Sequence, residues 1–123
     1  MHKILIVEDE PDTSRVVAKR LEKAGFEVVV AVDAYQGISL AHKEGPDLII
    51  LDLMLPAGGG LAVLKNLEMS SKVTRIPVVV LTGIKDEEYK DAMLKRGIEA
   101  YLEKPYDADE LIATIRNILQ KEG

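Results

Sequence analysis

Apolar residues gather in five short runs along the chain: Lys3–Val7, Phe26–Val32, Asp47–Leu53, Pro77–Thr82 and Ala100–Glu103. The first four are rich in Val, Ile and Leu and do not alternate cleanly with polar residues, which is how strands buried on both faces read. The fifth is shorter and more polar, as suits an edge strand. Helical spacing fills the intervals. Val16, Val17, Ala18, Leu21 and Ala24 form the first stripe, with Gly25 placed to end it. Asp33 can cap a second helix carrying Ile38, Leu40 and Ala41, which stops at Gly45-Pro46. Leu61, Leu64 and Leu67 mark a third. A fourth opens on Asp86-Glu87-Glu88 and closes on Lys95-Arg96-Gly97, charges that suit the helix dipole at both ends. The fifth opens with Asp107 and Glu110 at capping-box spacing and carries Leu111, Ile112, Ile115, Ile118 and Leu119. The order βαβαβαβαβα predicts a parallel sheet with helices on both faces.

The chain has 123 residues, enough for one domain with its own core, and no internal repeat, low-complexity tract or linker interrupts it. It has no cysteine, which excludes disulfides, thiolate nucleophiles and Cys-based zinc sites. A net charge of −5 and only 4% aromatic residues argue against direct nucleic-acid binding, whether electrostatic or by base stacking. No apolar run approaches the ~20 residues of a membrane span, and the strand pattern begins at Lys3 without room for a signal peptide. These features predict no membrane contact and a cytoplasmic location.

Ligands of open parallel α/β sheets bind at the carboxyl ends of the strands. Those ends deliver Glu8 and Asp9 from the first strand, Asp52 from the third, Thr82-Gly83 from the fourth and Lys104-Pro105 from the fifth. Carboxylates held together repel and need a counter-charge. Hard oxygen ligands favour Mg²⁺ or Mn²⁺ over zinc. A metal site alone would not call for Lys104. A cation, a lysine and a hydroxyl around one aspartate describe a phosphoryl site with Asp52 as nucleophile. Asp52 alone could cap the turn after its strand, Glu8 and Asp9 could be an acidic helix start, and Thr82 and Lys104 could be ordinary strand-end and surface residues. The joint pattern outweighs these separate readings.

Other sites fit poorly. Gly58-Gly59-Gly60 lacks the Lys-Ser/Thr ending of a phosphate-binding P-loop and reads as a flexible turn. No G-x-G-x-x-G follows the first strand, and no Ser/His/Asp set is arranged for hydrolysis. His2 and His42 are too few for a metal cluster, and His42 reads as a surface residue of the second helix.

These residues resemble the receiver domain of two-component response regulators. The likeness rests on Ile4-Leu5-Ile6-Val7-Glu8-Asp9-Glu10, on Pro46 to Pro56 around Asp52, on Pro77-Val78-Val79-Val80-Leu81-Thr82 and on Tyr101-Leu102-Glu103-Lys104-Pro105. Four pieces in order cover the chain from end to end. The resemblance implies a flavodoxin-like (βα)5 three-layer sandwich with strand order 2-1-3-4-5. Residues 1–123 would then be a single receiver domain, with no output domain in this sequence. It implies phosphorylation of Asp52 by the phosphohistidine of a sensor histidine kinase or phosphotransfer protein, or by a small phosphodonor. Mg²⁺ would be held by Glu8, Asp9, Asp52 and the Met54 backbone carbonyl, with Thr82 and Lys104 on the phosphoryl group. Tyr101 is similar to the family's switch aromatic, which turns inward as Thr82 moves toward the phosphate and reshapes the helix 4–strand 5–helix 5 face for a downstream target or output domain. The Lys104-Pro105 bond is expected to be cis.

Two departures stand out. Gly83 occupies a position that is often alanine. Gly97 to Tyr101 lacks the acidic pair that supports receiver pairing, which weighs against the phosphorylation-dependent homodimer the resemblance otherwise admits. Met54 and Ile84, each two positions beyond Asp52 and Thr82, should flank the phosphoryl group, and neither can activate a water. Slow loss of phosphate follows, from a switch rather than a turnover enzyme. A haloacid-dehalogenase-like phosphatase would need a second Asp where Met54 stands, and a cap domain. A phosphate-independent receiver-like interaction module is the other alternative, which the intact Glu8, Asp9, Asp52, Thr82 and Lys104 set disfavours.

Overall fold

The computed structural model describes residues 1–122; Gly123, expected directly after the last helix, lies outside the described residues. Five strands, β1 (Lys3–Val7), β2 (Glu27–Ala31), β3 (Leu48–Leu51), β4 (Val78–Thr82) and β5 (Ala100–Glu103), alternate with five helices. The helices are α1 (Pro11–Lys23), α2 (Ala34–Glu44), α3 (Gly59–Met69), α4 (Glu87–Lys95) and α5 (Ala108–Glu122). The strands form one parallel sheet in the order 2-1-3-4-5. The flavodoxin-like three-layer architecture expected from the sequence is the one observed.

Strand pleating divides the core in two. Ile4, Ile6, Leu48, Ile50, Val79 and Leu81 face one way and pack with Val17 and Leu21 of α1 and with Leu111, Ile115, Ile118 and Leu119 of α5. Leu5, Val7, Ile49, Leu51, Val78 and Val80 face the other way, against α2, α3 and α4. Full burial of one such side chain contributes about 1.5–3 kcal/mol, so this double-faced sheet is the rigid platform from which the strand ends project.

The caps match the sequence pattern. The Asp33 side chain accepts the Gln36 N–H at 2.8 Å, that of Asp86 accepts Glu88 and Tyr89 N–H, and that of Asp107 accepts Asp109 and Glu110 N–H. Three details differ. β2 lies at a sheet edge and is mostly half-buried, although its Val-rich run reads like a central strand. Phe26 is buried but lies outside that strand, because its N–H closes the end of α1 on the Leu21 carbonyl. Val16 is 54% exposed, so Val17 and Leu21 carry the buried stripe of α1.

Candidate functional site at the carboxyl end of the sheet

The residues flagged at the strand ends stay in register with the sheet. Glu8 donates its N–H to the Ala31 carbonyl at 3.0 Å, Asp52 to Val7 at 3.1 Å and Lys104 to Thr82 at 2.8 Å. Each is one rung beyond its strand. The sheet therefore fixes their backbones, and the side chains converge in the space above β1, β3 and β5.

Lys104 is the hub. Its Nζ donates to Glu8 Oε1 at 2.6 Å and to Asp52 Oδ2 at 2.9 Å. The other oxygen of each carboxylate accepts a backbone N–H: Glu10 N–H to Glu8 Oε2 at 3.1 Å, and Met54 N–H to Asp52 Oδ1 at 2.8 Å. Glu8 and Asp52 are only 4% and 5% exposed, yet no buried polar side-chain atom among the described residues lacks a partner. Burial pushes the Glu8 carboxyl above its usual range, against the pull of Lys104 and the Glu10 N–H, and the Asp52 charge adds to the rise. Burial also works against a charged Lys104, but its hydrogen bonds to Glu8 and Asp52 outweigh that and hold it above the ordinary lysine value.

Asp9 is exposed and completes the acidic set: one carboxylate oxygen from each of Glu8, Asp9 and Asp52 lies within 4.8 Å of the others. Three formal negative charges face one lysine. Hard anionic oxygens at this spacing fit a divalent cation of the Mg²⁺ or Mn²⁺ type, and these three residues could hold it.

Thr82 is fully buried at the end of β4, and its Oγ1 accepts a long hydrogen bond, 3.5 Å, from the Ile84 N–H. Tyr101 is 6% exposed and donates its hydroxyl to the Ile84 carbonyl at 2.8 Å. The resemblance implies a ring that turns inward as Thr82 moves toward the phosphate; in this conformation it is inside. The Ile84 carbonyl makes that burial affordable by satisfying the hydroxyl. Ile84 thus links Thr82 to Tyr101 through its backbone, a role its side chain could not have announced. Met54 is 59% exposed, with its sulfur 3.3 Å from where a Gly83 Cβ would stand, so it reaches across from the end of β3 to that of β4. Lys104-Pro105 is cis, as expected.

Two expectations need correction. The Gly58-Gly59-Gly60 turn is close-packed at Gly59 and Gly60, with only Gly58 facing open space. A Cβ on Gly60 would lie 2.5 Å from Leu53 Cα, so α3 can begin tightly beneath the loop after Asp52 only because position 60 is glycine. A short 3₁₀ turn, Pro56–Gly58, precedes it and holds Ala57 at φ 58°, a left-handed conformation uncommon outside glycine. His42 is half-buried and pairs with Asn66 Oδ1 at 3.2 Å between α2 and α3, a helix-to-helix bond and not a solvent-facing role.

Comparison with known proteins agrees with this geometry. The family model for the response regulator receiver domain matches residues 4–116. The chain is 40% identical over 121 residues to the DNA-binding dual master transcriptional regulator RpaA of Synechocystis, covering 98% of this chain and 50% of that protein. It is 38% identical to the phosphate regulon transcriptional regulatory protein PhoB of Escherichia coli, covering 97% and 52%. The chain thus spans about half the length of the curated relatives it matches. Among solved structures, the Francisella response regulator 1452 receiver domain superposes with a TM-score of 0.92 at 28% identity over the whole of both chains. The chemotaxis response regulator CheY4 of Vibrio cholerae gives 0.87 at 30% identity, over 96% and 98%.

Proposed function

This chain belongs to the response regulator receiver domain family of two-component signalling, and from that premise we propose that Asp52 is its phosphoryl acceptor. The observation that carries the reading is the shared lysine: Lys104 grips the two buried carboxylates Glu8 and Asp52 at the carboxyl end of the sheet. An Asp52 carboxylate oxygen attacks the phosphorus of a phosphohistidine on a sensor histidine kinase or phosphotransfer protein. The P–N bond breaks, the imidazole keeps its electron pair and gains a proton, and an acyl phosphate forms on Asp52. Lys104 stays beside the transferred oxygens as a counter-charge, and Thr82 offers its hydroxyl to one of them. Mg²⁺, held by Glu8, Asp9, Asp52 and the Met54 carbonyl, would supply further neutralisation of phosphoryl charge.

The phosphoryl group puts about −1.5 to −2 charges where the carboxylate carried one, a net gain of roughly −0.5 to −1 at one point. If Thr82 shifts toward it, the Ile84 N–H loses its partner, and the Ile84 carbonyl that anchors Tyr101 shifts with the same backbone. The readout is the α4–β5–α5 face, which would meet a downstream target or output domain. We take residues 1–123 as one receiver unit and place its action in the cytoplasm; no helix among the described residues is long and apolar enough to cross a membrane. Uptake and loss occur on the same carboxylate, and with no general acid or base beside it the unit works as a switch rather than a turnover enzyme. Met54 and Ile84 offer no general base, which makes loss slow.

Intact mass after incubation with acetyl phosphate and Mg²⁺ tests the reading. One phosphate adduct is expected, absent with EDTA and in Asp52→Asn, and decaying slowly once the donor is removed. No adduct in the native chain, from acetyl phosphate or from a phosphorylated kinase, would favour a phosphate-independent interaction module.

A further inference from the structure

Among the five helices α4 is the most weakly seated. Met93 is its one buried residue, with Tyr89 and Lys90 half-buried, whereas α3 buries Gly59, Gly60, Val63, Leu64 and Leu67. Little apolar burial means a low cost for local displacement. The approach to α4 at its amino end is tied to the site through Ile84, whose carbonyl holds Tyr101. Its carboxyl end is tied differently. Arg96, the residue after α4, makes two parallel hydrogen bonds to Glu68 in the last turn of α3: Nε to Oε2 at 3.1 Å and Nη2 to Oε1 at 2.7 Å. This fork geometry is the most directional ion pair available to a protein. Beneath it lies an open cavity of about 220 Å³, lined by Leu64, Leu67, Val78 and Ile98 along with the pair itself. The space between α3 and the end of α4 is thus spanned by the ion pair and not filled by side chains.

We infer that Arg96–Glu68 is a clamp that fixes the far end of α4 and so biases the switch face toward the arrangement with Tyr101 buried. A helix held by one buried residue and a tie at each end moves when either tie changes. The phosphorylation site acts on the Tyr101 tie through Thr82 and Ile84, and the clamp acts on the other. The functional meaning of the clamp rests on the receiver reading, but its physical action does not.

Amide hydrogen exchange by NMR on the unphosphorylated protein tests it, using Glu68→Gln, Arg96→Ala and the charge-reversed double variant Glu68→Arg/Arg96→Glu. The α4 amides should exchange about two- to fivefold faster in each single variant, the range for an exposed pair, while α1 and α5 amides keep their native rates. Tyr101 ring resonances should move toward exposed values in the same variants, and the double variant should return both. Unchanged α4 exchange, an unmoved Tyr101, acceleration shared equally by α5, or no recovery in the double variant each overturns the clamp. Phosphoryl uptake measured on the same samples separates the two ideas. A clamp response without uptake removes the phosphoacceptor reading and leaves the clamp, and uptake without a clamp response does the reverse.

Discussion

Lys104 and Arg96 each join separate elements by binding carboxylates, and those carboxylates lie at opposite levels of burial. Lys104 reaches from the end of β5 to Glu8 and Asp52, whose side chains are 5% and 6% exposed. Arg96 reaches from the end of α4 to Glu68, with 29% and 37% exposed. The geometry of the second is as good as that of the first, yet the two differ in consequence. Desolvation makes an unpaired charge at the first site costly, so the cluster is an obligate unit. Water and salt screen the second, so it is a small, adjustable bias. A fixed centre and a soft restraint are what a switch needs: one to hold the chemistry, the other to leave the responding helix near balance.

Lys104→Met should break this contrast most visibly. It leaves two buried carboxylates without their shared cation. Removing one partner of a fully buried pair costs about 3–5 kcal/mol, and the 25% exposure of the Lys104 side chain reduces this to roughly 2–3 kcal/mol, readable as a lower urea midpoint at unchanged slope. A loss below about 1 kcal/mol would mean the site is effectively solvated and the contrast false. Asp52→Asn should act in the opposite direction. It removes one of the carboxylates crowded on the ammonium while the amide oxygen can still accept the Met54 N–H. A gain of about 1 kcal/mol is expected from relieved repulsion, checked by the same titration. A loss of that size would show that the Lys104–Asp52 attraction outweighs the crowding.

The site was more legible in the sequence than the clamp, for a topological reason. Parallel strands buried on both faces leave continuous Val/Ile/Leu runs, so the ends of β1, β3 and β4 could be located, the shorter Ala100–Glu103 run marks that of β5, and a doubly wound sheet brings those ends together whatever the side chains do. Glu8, Asp9, Asp52 and Lys104 therefore converge as expected. Where a feature depends on packing distance, the sequence was silent or misleading. The β2 run reads as central because α1 and α2 still cover its faces in part, although it stands at an edge. Gly60 looked like slack because composition cannot show that the Leu53 backbone sits against it. Ile84 acts through its peptide group, which every residue has. Glu68 and Arg96 are 28 residues apart, each at the end of a helix, with nothing in their spacing to pair them.

The smallest effect is also the one that tells the two regions apart by solvent alone. Arg96 holds the Glu68 carboxyl below its usual range, first through the hydrogen bonds and then through its charge, with a partial opposing effect from burial. A carboxyl whose folded pKa lies below its unfolded value contributes stability that is fully present above the unfolded value, about 4.3, and is lost as pH falls through the folded one. The clamp should therefore hold α4 unchanged from neutral pH down to about 5 and loosen below about 4. Because Glu68 is more than a third exposed, the whole effect stays under about 1 kcal/mol. Salt should mimic the acid. Raising ionic strength to about 1 M shortens the screening length to about 3 Å, so α4 amide exchange at neutral pH should rise toward its rate in Glu68→Gln, with that variant itself unresponsive. Lys104 with the buried carboxylates Glu8 and Asp52 should keep the Glu8, Asp52 and Lys104 amides at their low-salt rates in the same samples. Equal salt sensitivity at both places would erase the distinction between a fixed centre and a soft restraint.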